Sequence, residues 1–173
     1  MRIVAGRYKG RRLRMPRGAP TRPTADRVRE ALFSMLGDVS GARVLDLYAG
    51  SGALGIEALS RGADSAVFVE RDPRAAAVIR ANIEAVGANG EVRRQDVLRF
   101  LASDQRPFDL VFCDPPYDSG PRIAGLLAER LPALLAEGAR TVTESDKRWP
   151  LELPFPLLTE RTYGDTRIAI HGR

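Results

Sequence analysis

Two periods of apolar residues alternate along most of this chain. From residue 43 onward, short apolar runs at 43–48, 65–70, 91–94, 108–113 and 139–144 have the length and composition of buried strands. Between them, 53–61, 73–86, 97–103 and 121–136 carry apolar residues at helical spacing, and Gly62, Gly87 and Gly138 stand where those helices should stop. Strands alternating with helices predict an α/β fold, a mostly parallel sheet with helices on both faces. The end of the chain breaks the rhythm. Residues 157–161 and 166–171 are strand-like, with Tyr163-Gly164-Asp165 as the turn between them, so no crossover helix intervenes and a C-terminal antiparallel hairpin is predicted.

The stretch before residue 43 is organised differently. Residues 2–6 and 11–16 form two short strand candidates around a glycine-rich, charged turn, which predicts a small N-terminal β-hairpin. An extended link follows over 16–23. Thr24 then serves as N-cap and Gly37 as stop for a helix in which Val28, Ala31, Leu32, Met35 and Leu36 recur at helical spacing. That spacing leaves Arg22, Arg29 and Arg27 on a basic rim near the helix start. The organisation expected is a hairpin extension over residues 1–20 ahead of a single domain over 21–173.

Charge sharpens this division. Ten of the 27 basic residues lie in residues 1–30 against two acids, so this stretch carries +8 and the remaining 143 residues carry −3. A basic leading segment on a slightly acidic body is the footprint of a polyanion partner, because phosphate contacts release counterions and bind without regard to sequence. Arg7, Lys9, Arg11, Arg12 and Arg14 of the hairpin, with Arg22 and Arg29, are the candidate nucleic-acid contacts. No apolar run approaches the roughly 18 residues that cross a bilayer, and the arginine-studded start does not read as a signal sequence, which leads us to expect a cytoplasmic protein without a membrane partner. With one histidine, His171, and one cysteine, Cys113, in an apolar run, neither a metal site nor a disulfide is expected.

The first apolar run of the alternating part leads into Asp46-Leu47-Tyr48-Ala49-Gly50-Ser51-Gly52-Ala53-Leu54-Gly55, which reads as strand, glycine turn and helix. Such a turn lets the backbone approach a ligand closely. A dinucleotide fingerprint would hold pyrophosphate here. Asp46, four residues before Gly50, would instead repel phosphate and attract an amino-bearing or cationic ligand. The D-x-x-x-G-x-G pattern is similar to motif I of class I S-adenosylmethionine-dependent methyltransferases, and Asp46, Tyr48, Gly50 and Gly52 are candidate cofactor contacts. In sheets of this type ligands bind beyond the carboxyl ends of the strands. Glu70 ends the second strand, 20 residues past Gly50, where a carboxylate can accept from ribose hydroxyls. Asp96 either accepts from an adenine amino group, with the Val97 backbone at the ring nitrogen, or caps the helix that follows.

The fourth strand ends in Asp114-Pro115-Pro116-Tyr117. Two prolines remove two donors and stiffen the backbone, leaving the Asp114 carboxylate and the Pro115 carbonyl as acceptors. Two acceptors on the hydrogens of an amine conjugated to a base favour the pyramidal form with a free lone pair, and Tyr117 can stack on that base. Such a nucleophile is neutral and needs no histidine base.

The chain resembles the RsmD family of bacterial ribosomal RNA methyltransferases. The resemblance rests on Arg2-Ile3-Val4-Ala5-Gly6, Lys9-Gly10-Arg11-Arg12-Leu13, Arg22-Pro23-Thr24, Arg27-Val28-Arg29-Glu30-Ala31-Leu32-Phe33, Asp46 to Gly52, Asp114 to Tyr117, and Tyr163-Gly164-Asp165-Thr166. It implies the class I, Rossmann-like methyltransferase fold and S-adenosyl-L-methionine as cofactor. It also implies methylation of the N2 amine of a flipped guanine in 16S small-subunit ribosomal RNA, with an assembled particle as substrate and RNA contacts from the N-terminal hairpin. The acceptor pair alone also suits methylation of a DNA adenine or cytosine, or of a protein glutamine. Readings from other classes are a non-catalytic RNA-binding assembly factor and a nicotinamide oxidoreductase.

Overall fold

The computed structural model describes residues 1–16, 24–104, 106–116 and 120–173. The link over 17–23, with Arg22, and Tyr117 therefore lie outside the described residues. The alternation read from the sequence is present: α1 (Thr24–Leu36), β1 (Arg43–Leu47), α2 (Ala53–Ser60), β2 (Ser65–Val69), α3 (Pro73–Val86), β3 (Gly90–Arg93), α4 (Val97–Ser103), β4 (Phe108–Cys113), α5 (Gly120–Arg130), β5 (Leu135–Asp146), β6 (Leu157–Tyr163) and β7 (Thr166–Gly172). The strands form one sheet in the order β3-β2-β1-β4-β5-β7-β6. β1 to β5 pair in parallel, β7 runs antiparallel to β5, and β6 closes the edge antiparallel to β7. The sheet order steps away from β1 in both directions, to β2 on one side and β4 on the other, and a ligand crevice opens at such a reversal. No helix among the described residues is long and apolar enough to cross a membrane.

Alternate residues of each strand feed two cores. Val44, Phe68, Leu110, Phe112, Val142, Ile168 and Ile170 face the layer containing Leu32, Phe33, Ile56, Leu59 and Ile79. Leu45, Leu47, Val67, Val69, Val111 and Cys113 face the other layer, with Phe100, Leu127 and Leu131. Both faces of a parallel sheet are thus buried, which is why its strands read as nearly continuous apolar runs.

Two boundaries differ from the sequence reading. The last crossover helix ends at Arg130 and tightens into a 3-10 turn over Leu131–Leu134, with a proline in its first turn, so β5 begins well before residue 139. Gly138, read as a helix stop, lies inside β5 at φ 71°, within an irregularity where the partners of Phe108 and Leu110 shift from Leu135 to Arg140. A left-handed residue in a strand accommodates the extra length of such a bulge.

The N-terminal hairpin is smaller and less separate than expected. Its ladder reduces to one bridge, Arg2 with Arg12, supported by hydrogen bonds such as Ile3 N to Arg11 O at 3.0 Å. Ile3, Tyr8 and Leu13 are buried in the same core as α1 and α2, so the first residues continue the domain's packing. Gly6 lies so close to α2 that a Cβ there would sit 1.8 Å from the Ser60 carbonyl oxygen. Ser60 completes the clamp, with Oγ accepting from Tyr8 N at 3.0 Å and its carbonyl accepting from Arg7 N at 2.7 Å.

Candidate active site

The carboxyl edge of the sheet holds two cavities. The larger, about 430 Å³, is walled by Val28, Leu32, Leu54 and Ile168, with Asp46, Asp114 and Glu144 among its polar lining. The smaller, about 140 Å³, is lined by Val69, Glu70, Arg71, Gln95, Asp96, Val97 and Pro116. Tyr48 and Asp114 line both. The two spaces therefore adjoin at these side chains, one beyond β1 and the other beyond β4.

The glycine turn is built by close packing. Gly55 of α2 lies over β1 and β2, where a Cβ would approach Phe68 to 2.3 Å. This close approach lets Gly55 N donate to Asp46 at 2.9 Å. Asp46 is nearly fully buried, and burial, only partly offset by that hydrogen bond and reinforced by the charge of Glu70, pushes its carboxyl up to about 7. Tyr48 is the one non-glycine residue among those described with positive φ, at 59°. Such backbone strain persists where surrounding structure imposes it and concentrates at functional sites. Gly52, at φ 76°, precedes α2 but lines neither cavity: a Cβ there would meet Ile79 and Phe68 in the core. Its part is to shape the turn and pack it, whereas Gly50 lines the larger cavity.

Glu70 ties the turn to the next strand end. One carboxylate oxygen accepts from Gly50 N at 3.0 Å and the other from Asp72 N at 2.8 Å. The Gly50 amide, which a pyrophosphate would need, is thus committed to a carboxylate, and an anion placed there would meet Glu70. Each Glu70 oxygen keeps acceptor capacity for a hydroxyl. Asp96 lines the smaller cavity and caps α4, accepting from Leu98 N at 2.9 Å and Arg99 N at 3.4 Å. Val97, the first residue of α4, lines the same cavity beside it.

At the end of β4, Asp114 opens to solvent through the cavities, yet protein atoms crowd its carboxyl. Burial first, then the charges of Glu144 and Asp46, raise it well above the usual carboxylate range. Pro115 is buried and Pro116 exposed. Glu144, near the end of β5, is a site residue that the sequence reading missed, as are Tyr163 to Thr166 of the terminal hairpin, which close one side of the larger cavity. The turn Tyr163-Gly164-Asp165 was visible in the sequence, but nothing local to it pointed to the site.

The basic residues divide. Arg7, Lys9, Arg11, Arg12 and Arg14 are all exposed. Arg7 and Arg11 stack over Tyr8, at 4.7 and 5.8 Å from the ring centroid, which holds their guanidinium groups on the hairpin. Arg29, expected on the basic rim, is instead buried. Its guanidinium pairs with Glu57 at 3.3 Å and Asp26 at 3.1 Å and bonds the Arg2 carbonyl. The reason is Glu57, a fully buried carboxylate on α2 that also accepts from Val4 N at 2.8 Å, Ala5 N at 3.0 Å and Arg61 Nε at 2.9 Å. A buried carboxylate needs cations and donors, and Arg29 is one of them, so it holds the hairpin to the domain while also lining the larger cavity.

The family model described as conserved hypothetical protein 95 matches residues 1–172. The ribosomal RNA small subunit methyltransferase D of Haemophilus influenzae is 38% identical over 95% of this chain and 89% of its own length. The chain belongs to the RsmD family. Among solved structures, a hypothetical protein of Thermus thermophilus superimposes with a TM-score of 0.84 at 32% identity, covering 99% of this chain and 98% of that one. RsmC, a 16S rRNA methyltransferase of Thermus thermophilus solved in complex with AdoMet and guanosine, shares the fold at a TM-score of 0.70 and 24% identity, over 91% of this chain and 44% of that one.

RsmC is solved with AdoMet, and the residues that line the two cavities of this chain fit such a cofactor. Carboxylates line both cavities, which suits a ligand bearing an amino group and a sulfonium and opposes one bearing phosphates. In the smaller cavity Glu70 would accept from ribose hydroxyls and Asp96 with the Val97 backbone would meet adenine. In the larger, Asp46 would meet the amino acid end.

Proposed function

We propose that the chain methylates the exocyclic N2 amine of a guanine in small-subunit ribosomal RNA, presented within an assembled particle. The observation that carries this reading is the sharing of Asp114 and Tyr48 by the two cavities: a cofactor whose nucleoside was held by Glu70 and Asp96 would extend towards Asp114. S-adenosylmethionine supplies an electrophilic methyl carbon on a sulfonium. The chain supplies position and acceptors. Asp114 and the Pro115 carbonyl accept the two hydrogens of the target amine and favour the pyramidal form whose lone pair points at that methyl. The sequence reading gives Tyr117, outside the described residues, the part of stacking on the base. The amine's proton is lost during or after transfer, so no histidine base is required.

Ribosomal RNA is the substrate class of the methyltransferase D relatives, and the exposed cations of the N-terminal segment provide the matching electrostatic surface. The decisive measurement is single-turnover methylation of small-subunit particles at saturating cofactor. Asp114→Ala is expected to slow transfer roughly a hundredfold or more, the usual effect of losing one preorganised electrostatic contact, with S-adenosylhomocysteine affinity little changed. A near-normal rate would show that the amine is activated elsewhere.

A further inference from the structure

We propose that Glu144 is the residue that reads the base, its carboxylate accepting N1–H of the target guanine while Asp114 accepts from the adjacent N2 amine. The inference rests on the reading of this site as one that methylates a base amine, and deepens it by naming what selects guanine. β4 and β5 pair in parallel with Cys113 opposite Thr143, so the next residue on each strand is Asp114 on one side and Glu144 on the other. Both line the larger cavity. Phe112 and Val142, two residues earlier on each strand, lie in the same core layer, and Ile168, which pairs with Glu144 from β7, also lines the cavity. The charge of Glu144 is felt at the Asp114 carboxyl, which places the two acids close together. Val28, Leu32 and Leu54 give the same space apolar walls, suited to the faces of a ring.

The consequence follows from the edges of the bases. A carboxylate accepts hydrogen bonds and cannot donate them. Guanine presents an unbroken row of donors, N1–H beside the two hydrogens of N2. Adenine presents its N6 amine beside a bare N1, and cytosine its N4 amine beside a bare N3. Asp114 and the Pro115 carbonyl would treat all three amines alike. A second acceptor one strand over does not: it accepts from N1–H of guanine but meets a lone pair in adenine or cytosine, where acceptor faces acceptor and the two repel.

The test uses the whole protein with small-subunit particles assembled on RNA carrying, at the position it methylates, either guanine or 2-aminopurine, which keeps the 2-amine but has a bare N1. The wild type should methylate the guanine substrate at least ~100-fold faster, since sites built to pair with a substrate donor strongly reject analogues lacking it. Glu144→Gln, whose side chain can donate to a bare N1 as well as accept from N1–H, should narrow that ratio to within about tenfold. Glu144→Ala should also lose the discrimination, and S-adenosylhomocysteine affinity near the wild-type value would show that each variant is folded. A ratio unchanged in both variants overturns the assignment of Glu144 while leaving the reading of the site intact. A wild type that methylates neither RNA overturns that reading and the assignment together.

Discussion

Asp46 should make the protein less stable in proportion to how deprotonated it is, and Asp46→Asn tests this. The carboxyl is 3% exposed, accepts one hydrogen bond from Gly55 N at 2.9 Å, and titrates at about 7 instead of 3.8. The folded state thus holds the proton more tightly than the unfolded chain. Between the two values the folded protein carries a proton that the unfolded chain has released. Unfolding free energy therefore falls as pH rises from about 4 and levels off above about 7. A displacement of about three pH units corresponds to at most ~4 kcal/mol once deprotonation is complete. Asparagine keeps the oxygen that accepts from Gly55 N and cannot ionise. Urea unfolding of wild type and Asp46→Asn at pH 5 and pH 8 should show the variant gaining on the wild type by about 2–4 kcal/mol over that interval. Loss of the Asp46 charge should also lower the raised value of Asp114, which moves the difference in the same direction. The variant should at the same time bind S-adenosylmethionine more weakly, because the charge that destabilises the empty turn is the one proposed to meet the amino group. A stability difference independent of pH would refute the argument.

Two further outcomes follow from the N-terminal segment. Reversing Arg11, Arg12 and Arg14 to Glu should weaken RNA binding and flatten its dependence on salt, with S-adenosylhomocysteine affinity unchanged, since these exposed groups line neither cavity; a salt slope as steep as the wild type's would reduce them to a solubilising surface. Asn82 of α3 is buried, accepts from Arg14 N at 2.8 Å and donates to the carbonyls of Arg14 and Ser51, each at 3.0 Å, so it joins the basic segment to the cofactor turn. Asn82→Leu strands those groups and should lower unfolding free energy by roughly 3 kcal/mol or more while loosening cofactor binding by calorimetry; unchanged values of both would show that the three groups find other partners.

What was legible in the sequence, and what was not, divides along the range of the interactions. The strand–turn–helix from Val44 to Gly55 could be read because its determinants lie within about a dozen residues: an apolar run, an acid, and glycines where the backbone turns. Asp96 as a cap and Gly87 as a helix stop were legible for the same reason, and both hold in the fold. Gly138 misled because a left-handed glycine serves a strand bulge as well as a helix end, and only the pairing with β4 distinguishes them.

Charged residues were the hardest to place, and Arg29 and Glu57 show why. Each has the spacing of a solvated position on an amphipathic helix, and nothing within a few residues of either indicates burial. Gly55 to Ser60 of α2 are nonetheless all buried, because the N-terminal segment folds back over that helix and supplies backbone donors from Val4 and Ala5 to Glu57. A covered carboxylate left without a cation would be strongly destabilising, so Arg29 on α1 turns inward to it. Glu144 is the converse case. Its chemistry depends on Asp114, thirty residues earlier, and only the parallel pairing of β4 with β5 sets the two side by side. An acid at a strand end is ordinary by itself. It becomes a determinant of which base is methylated when sheet order puts it beside the acceptor that positions the amine, and that order is a property of the whole domain and of no single stretch of sequence.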